Sequence, residues 1–393
     1  MPLAQIGLNW LEKVLGKLQS GSLTLRFPDG KVRTFRGEQP GVAAELDILR
    51  PRFFSRVLMG GDVGFAEAYM DGDCDSPNMT ALIRLVLDNS GRLNRHLYAS
   101  TIIRLANRLL HLARPNNISG ARRNIAAHYD LGNEFYRAWL DETMTYSAAV
   151  FERPDMPIHE AQESKYRRIA DLAEINSAHH VLEIGCGWGG FAEFAARERG
   201  AKVTALTISD AQFNYAKKRI FEAGLNERVQ VRKDDYRNVE GTFDRIASIE
   251  MFEAVGEKYW PDYFTTLRER LVPGGRAGLQ IITIADHAFD AYRRGTDFIQ
   301  KYIFPGGMLP SPQVLLKEVE KAGLRLETSV GYANHYARTL AEWHVRFEEA
   351  WPGLNKMGFD ERFRRMWKYY FAYCEAGFDH GHIDVRQIGL QKI

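Results

Sequence analysis

Cysteine is scarce in this 393-residue sequence, and Cys74, Cys186 and Cys374 lie far apart. That excludes a disulfide framework or a cysteine metal cluster, and no metal is expected. Long apolar runs are also missing. Although 45% of the residues are apolar, no stretch approaches the roughly 20 consecutive apolar residues that span a bilayer. The opening MPLAQIGLNWLEKVLG has no basic leader region and no A-x-A site, so it reads as a short amphipathic helix rather than a signal peptide. The cytoplasm is the expected location. Internal repeats and low-complexity tracts are absent too.

Acidic residues disappear from one interval. Between Asp88 and Asp130 there is none, while Arg92, Arg95, Arg104, Arg108, Arg114, Arg122 and Arg123 fall inside it. Leu93, Leu97, Ile102, Ile103, Leu105, Leu109 and Leu110 interleave with them at helical spacing. The net charge of the whole chain is only +2, so the asymmetry is local. An Arg-rich amphipathic helix suits an anionic membrane surface, where each cation contributes about 1 kcal/mol. A solvated linker helix, its arginines paired with carboxylates elsewhere, is the plain alternative. No recognition motif accompanies the charge, so nucleic acid is not the expected partner.

The stretch present with most information is VLEIGCGWGGF, Val181 to Phe191. An apolar run ending in Glu183, then Gly185, Gly187, Gly189 and Gly190, then FAEFAARERG, reads as strand, glycine-rich turn and helix. Glycine lets the backbone turn tightly and approach a ligand closely. Dinucleotide sites also carry an acidic residue about 20 residues on, bound to a ribose. Here the following strand, AKVTALTIS, ends in Thr207, Ile208 and Ser209. That pattern points away from NAD or FAD and toward S-adenosylmethionine (AdoMet).

Length alone suggests two or three domains. Residues 1–115 read as a smaller α+β unit. LTLRFPDGKVRTF, from Leu23 to Phe35, is a hairpin turning at Pro28-Asp29-Gly30. FFSRVLMGG and FAEAYMDGDCDS alternate helix with turn, MTALIRLVLDN is a helix, and RPNNISGARRN marks a linker. Residues 116–393 alternate strand and helix: HHVLEIG, AKVTALTIS, VQVRKDD, FDRIASIEMF and RAGLQIITI are separated by helical patterns. That rhythm predicts an α/β fold, a doubly wound parallel Rossmann-like sheet with ligands at the C-terminal strand ends. The aromatic tail, including Trp343, Phe347, Trp351, Phe363, Trp367 and Phe371, reads as helical core.

Six motifs together carry a resemblance over nearly the whole chain: AAHYDLGNEFYRAWLD, MTYSAAVF, VLEIGCGWGGFAEFAA, LTISDAQFNYAKKRI, FDRIASIEMFEAVG and DFIQKYIFPGGMLPS. The sequence resembles the cyclopropane-fatty-acid synthase family, AdoMet-dependent enzymes that methylate the cis double bond of an acyl chain. The smaller N-terminal domain is similar to that of the members acting on bacterial phospholipids. The resemblance implies a class I methyltransferase sheet. It also implies unsaturated phospholipid acyl chains as substrate, peripheral association with the inner face of the membrane, and possible homodimers.

Chemistry fits such a substrate. An alkene is a weak nucleophile, so the methyl donor must be held in line with it, which supplies roughly 7–11 kcal/mol of the barrier. The resulting carbocation needs aromatic faces and a dry pocket. A base must then remove one proton. Loss from the new methyl closes a cyclopropane ring, the product the resemblance implies first; loss elsewhere leaves a methyl- or methylene-branched chain, the alternative. A non-catalytic lipid-binding protein on the same fold is the alternative from another class.

By resemblance, Gly185, Gly187 and Gly189 face the methionine part of AdoMet, Thr207, Ile208 and Gln212 hold the ribose side, and Asp235 and Tyr236 lie beside the adenine. Tyr129, Tyr146 and Ser147 close the site, with ordinary core packing as the tyrosines' alternative. The family's base is thought to be a bicarbonate ion bound by a Cys, a Glu, a His, an Ile and a Tyr. Glu253, Ile282 and Tyr336 match three of those positions. Ala148 stands at the Cys position and Gln280 at the His position. A backbone N–H survives a Cys-to-Ala change and Gln can still donate to an anion. These two departures weigh more against ring closure than against methyl transfer. IFPGGMLPS, Ile303 to Ser311, reads as a loop shaping the acyl pocket, or as a plain surface loop.

Overall fold

The computed structural model describes residues 3–91 and 131–393, and these form two compact units. Tyr129, the arginine-rich interval after Asp88 and the RPNNISGARRN linker lie outside the described residues. The first unit contains residues 3–91, Ala291–Ile303 and Trp343–His382; the second contains residues 131–290, Phe304–Glu342 and Ile383–Ile393. A single cut near residue 115 therefore does not describe the division. Two later segments join the first unit because their aromatic helices pack there rather than on the large sheet.

The first unit carries a four-stranded sheet in the order β2-β1-β3-β4, with β1 at Ser20–Arg26, β2 at Val32–Arg36, β3 at Gln39–Ile48 and β4 at Cys74–Asp75. The expected hairpin is β1 with β2, in register at Thr24 and Thr34. β3, running parallel to β1, was not expected; its Pro40 and Gly41 mask its alternating pattern. Arg52–Met70 is helical on both sides of a break at Gly61, whose φ of 58° is non-helical, so helix and turn alternate there as expected. Met79–Asp88 begins at Asn78, whose side chain accepts from the Ala81 N–H. Trp343, Phe347, Trp367 and Phe371 are buried, with Phe347 against Trp367 and Phe371. These aromatics are core.

The second unit is an α/β class I methyltransferase fold. Its seven strands run β10-β11-β9-β8-β5-β6-β7: β5 is His180–Ile184, β6 Lys202–Thr207, β7 Val229–Lys233, β8 Phe243–Ile249, β9 Leu271–Ile284, β10 Leu324–Gly331 and β11 Ile383–Lys392. β7, β6, β5, β8 and β9 are mutually parallel. β11 inserts antiparallel between β9 and β10, so the sheet is mixed rather than wholly parallel. β5 and β6 are almost continuously buried, as strands covered on both faces must be. On one face Tyr166, Ile169 and Ala170 pack with Val181, Val203, Phe191 and Ile220. Each fully buried large aliphatic there contributes roughly 1.5–3 kcal/mol. No helix among the described residues is long and apolar enough to cross a membrane.

Candidate active site

The reversal of strand order beside β5 opens a crevice at the C-terminal strand ends, where α/β sheets bind ligands. The glycine turn lies there. Gly185, Gly187 and Gly189 have φ of 82°, 52° and 85°, values that side chains with a Cβ rarely adopt. Gly189 caps the helix Gly190–Glu198, whose amide end favours a ligand's negative groups. A Cβ at Gly187 would meet nothing within 4 Å, leaving open ground along the turn. The Trp188 indole N–H donates to Asn133 Oδ1 at 2.8 Å.

At the end of β6, Thr207 Oγ1 donates to Gln212 Oε1 at 2.8 Å and accepts from the Ser209 N–H at 3.2 Å. Ser209 in turn caps the helix Asp210–Glu222. Thr207 and Gln212 are buried, and Ile208 is half-buried between them and the cap. After β7, the buried Asp235 is clasped by the Arg237 guanidinium, with Nε at 2.8 Å and Nη2 at 2.6 Å. Tyr236 packs edge-on against Tyr263. Tyr146 lies among Tyr136, Trp139 and Phe304. An open glycine turn with hydroxyl and amide groups at the ribose side fits AdoMet. These residues would hold the cofactor, which brings an electrophilic methyl group when bound.

A second cluster gathers around β8 and β9. Ala148, Gln280 and Tyr336 do converge, but on a carboxylate that the sequence reading passed over. Glu250 Oε1 accepts from the Ala148 N–H at 2.8 Å and from Gln280 Nε2 at 2.7 Å. Its Oε2 accepts from the Tyr336 hydroxyl at 2.7 Å. Gln280 Nε2 also reaches the Ala148 carbonyl at 3.2 Å. Glu250 has a φ of 49°, a left-handed backbone that costs a non-glycine residue roughly 1–3 kcal/mol. Burial pushes its carboxyl above the ordinary carboxylate range, with the Tyr336, Ala148 and Gln280 hydrogen bonds and the Lys165 charge acting the other way.

Three of the groups expected to bind bicarbonate are thus engaged by the protein's own carboxylate. The other two, Glu253 and Ile282, pair with each other, Glu253 Oε1 accepting from the Ile282 N–H. The arrangement does not fit bicarbonate as a resident group. Glu253 Oε2 is buried and has no hydrogen-bond partner among the described residues. Its carboxyl is pushed up to about 8 by burial, reinforced by the neighbouring Glu250. The IFPGGMLPS loop touches this turn directly, the Met308 N–H donating to the Glu253 carbonyl at 2.9 Å.

Behind Glu250 stands a buried ammonium that sequence reasoning also missed. Lys165 Nζ donates to Ser147 Oγ and to Gln162 Oε1, each at 2.6 Å. Burial lowers its pKa to about 7, while Glu250 and Asp141 raise it. Gln162 Nε2 holds the Ser147 carbonyl at 3.0 Å, so Ser147 serves this network through both its hydroxyl and its backbone. The one sequence signal for Glu250 was the pair of glutamates in SIEMFEAVG, three apart at a strand end.

Comparison with known proteins gives the family. The profile described as mycolic acid cyclopropane synthetase matches residues 117–388. Tuberculostearic acid methyltransferase UfaA1 of Mycobacterium tuberculosis is 40% identical over 93% of this chain and 86% of its own length. The cyclopropane-fatty-acyl-phospholipid synthase of Escherichia coli is 34% identical over 89% of this chain and 88% of its own. Among solved structures, mycolic acid cyclopropane synthase CmaA1 in complex with SAH and CTAB is 30% identical, with a TM-score of 0.65, over 69% of this chain and 98% of that one. The glycine turn, the fold and these matches agree: the chain belongs to the cyclopropane-fatty-acyl-phospholipid synthase family of AdoMet-dependent fatty acid methyltransferases.

Proposed function

We propose that this enzyme moves the methyl group of AdoMet onto the double bond of an unsaturated fatty acyl chain in a membrane phospholipid, giving a methyl- or methylene-branched chain. One observation carries the proposal. A Cβ at Gly185 would stand 2.7 Å from Met251 Cγ, so the glycine turn is in contact with the turn bearing Glu250 and Glu253. Methyl donor and proton acceptor therefore belong to one site. Tyr136, Trp139, Tyr146 and Phe304 supply aromatic faces within it, suited to an acyl chain and to a cation forming on it.

The phospholipid substrate is supported by extent of similarity. The E. coli acyl-phospholipid synthase aligns over 89% of this chain, whereas the cyclopropane mycolic acid synthase MmaA2 covers 70%. The branched product is supported by Ala148 and Gln280 at the two departing positions and by the tuberculostearic acid methyltransferase, similar over 93% of the chain. Ring closure is the second reading, favoured by the name and extent of the E. coli relative. On either reading the protein works as a peripheral enzyme at the inner face of the membrane, against its anionic lipids.

The test is incubation of purified protein with AdoMet and monounsaturated phospholipid vesicles, followed by mass spectrometry of the fatty esters before and after mild hydrogenation. Branched alkene and cyclopropane are isomers, but only the alkene takes up hydrogen under mild conditions. A gain of one CH2 that then accepts hydrogen is the expected result. A hydrogen-resistant product would establish the ring instead, and no gain with any unsaturated lipid would sink the proposal.

A further inference from the structure

A carboxylate in a left-handed backbone position is an unusual use of sequence, because glycine would sit at Glu250 without strain. What the chain obtains there is an anion with three hydrogen-bond donors converging on it: the Ala148 N–H, the Gln280 amide and the Tyr336 hydroxyl. By the family resemblance these same three positions belong to the shell of a bicarbonate ion. We propose that Glu250 is the catalytic base, a carboxylate built into the chain in place of that dissociable ion. The inference rests on the acyl methyl-transfer reading above and deepens it.

The step balances with the residues present. Methyl addition uses the alkene π pair to form the new C–C bond and leaves the adjacent carbon cationic. Glu250 Oε2 receives one hydrogen bond, from Tyr336, and keeps a lone pair for a proton. For a methyl-branched alkene, a C–H bond on a carbon beside the cation breaks, its proton passes to Glu250, and its electron pair becomes the new C=C bond. For a methylene branch, a 1,2-hydride shift first moves the cation to the methyl-bearing carbon and the methyl then loses the proton. For ring closure the broken C–H bond is one of the new methyl's, and its pair becomes the third ring bond. No oxidant or further reactant is needed. Burial that pushes the carboxyl above its ordinary range makes Glu250 a stronger base than a solvated glutamate. Lys165 lies in the same low-dielectric surroundings, and its attraction favours the ionised carboxylate.

A side chain differs from a dissociable ion in being tethered. It approaches the substrate from one direction and needs no dissolved CO2. The decisive experiment compares wild type, Glu250→Gln and Glu250→Gly in carbon-dioxide-free buffer, with and without added bicarbonate. It follows methyl transfer to vesicles, AdoMet binding by calorimetry and 13C-bicarbonate binding by NMR. The wild type is expected to turn over equally with and without bicarbonate and to bind none. Glu250→Gln should lose about 100-fold or more in rate with AdoMet affinity unchanged. Glu250→Gly, relieved of its backbone cost, should fold at least as well as wild type, lose activity similarly, and regain about tenfold when bicarbonate refills the three donors.

Wild-type activity that falls on removing bicarbonate, or bicarbonate bound by the wild type, would overturn the assignment. So would full turnover by both variants, or a Gly variant that bicarbonate does not restore. A wild-type enzyme that methylates no unsaturated lipid would overturn the acyl reading and this assignment together. An active wild type with active variants overturns the assignment alone.

Discussion

Gln387 Nε2 donates to Gln280 Oε1 at 2.9 Å, and the two residues face each other in register across β9 and β11. Side chains directly opposite in an antiparallel pair share a face of the sheet. With its oxygen committed to Gln387, the Gln280 amide has only its NH2 group left to turn toward Glu250. The hydrogen bond therefore fixes which end of the amide meets the carboxylate.

Substituting Gln387→Leu should remove that constraint. The amide could then present its oxygen to Glu250, weakening the support of the carboxylate by about one hydrogen bond. Turnover should fall by roughly tenfold, while AdoMet affinity, set at the other side of the crevice, stays the same. Steady-state rates together with calorimetric titration of AdoMet separate the two effects.

Glu253→Gln should lower turnover less than Glu250→Gln does and leave AdoMet binding near the wild-type value. The carboxyl sits on the Ile282 N–H and touches none of the residues at the ribose side. Equilibrium titration of AdoMet into the variant checks this, and a lost binding isotherm would reassign Glu253 to the cofactor.

Gly187→Ala and Gly189→Ala should fail in different ways. A Cβ at Gly189 meets Ala216 Cβ at 3.1 Å, whereas at Gly187 it meets only open ground. Both variants bear the left-handed backbone cost of about 1–2 kcal/mol. Gly189→Ala adds a steric conflict with the buried Ala216 and should show the larger drop in melting temperature. Gly187→Ala should melt closer to wild type yet bind AdoMet at least about tenfold more weakly, because its methyl group fills ligand space. Thermal melts paired with titrations distinguish them.

Stability should decline as pH rises from about 4.5 toward 8, in part through Glu183. This buried carboxyl at the end of β5 is pushed up to about 8 by burial, with Arg219 acting the other way. In that window the folded state keeps a proton that the unfolded state has released, so each rise in pH favours unfolding. The effect is on the order of a few kcal/mol across the window. Denaturant midpoints at pH 5 to 8 should fall less steeply for Glu183→Gln, which has no carboxyl to ionise.

The glycine turn and the succession of β5 to β9 were legible because each is written in local sequence. A turn with three positive φ values needs glycine, and a doubly covered strand needs a continuous apolar run. β11 was hidden for the opposite reason. IDVRQIGLQK alternates, but it follows a long aromatic helix, and nothing local says that it returns to pair with β10 and β9, strands that both precede that helix. Glu250 was hidden by backbone geometry. A glutamate between Ile249 and Met251 reads as ordinary surface charge until its left-handed φ and three donors are seen. Lys165 and Gln162 likewise read as the polar side of an amphipathic helix, Ile158–Leu172, though both are buried.

The position of β11 also sets an order of events in folding. The strands β5 to β8 that frame the glycine turn lie within 70 residues of one another, and their short loops close at modest entropic cost. The Gln280–Gln387 contact must instead close a loop of 107 residues. A nascent or partly unfolded chain can thus acquire its cofactor cradle first and its oriented Gln280 last. An intermediate able to hold the donor would then still lack an aligned Gln280 beside Glu250.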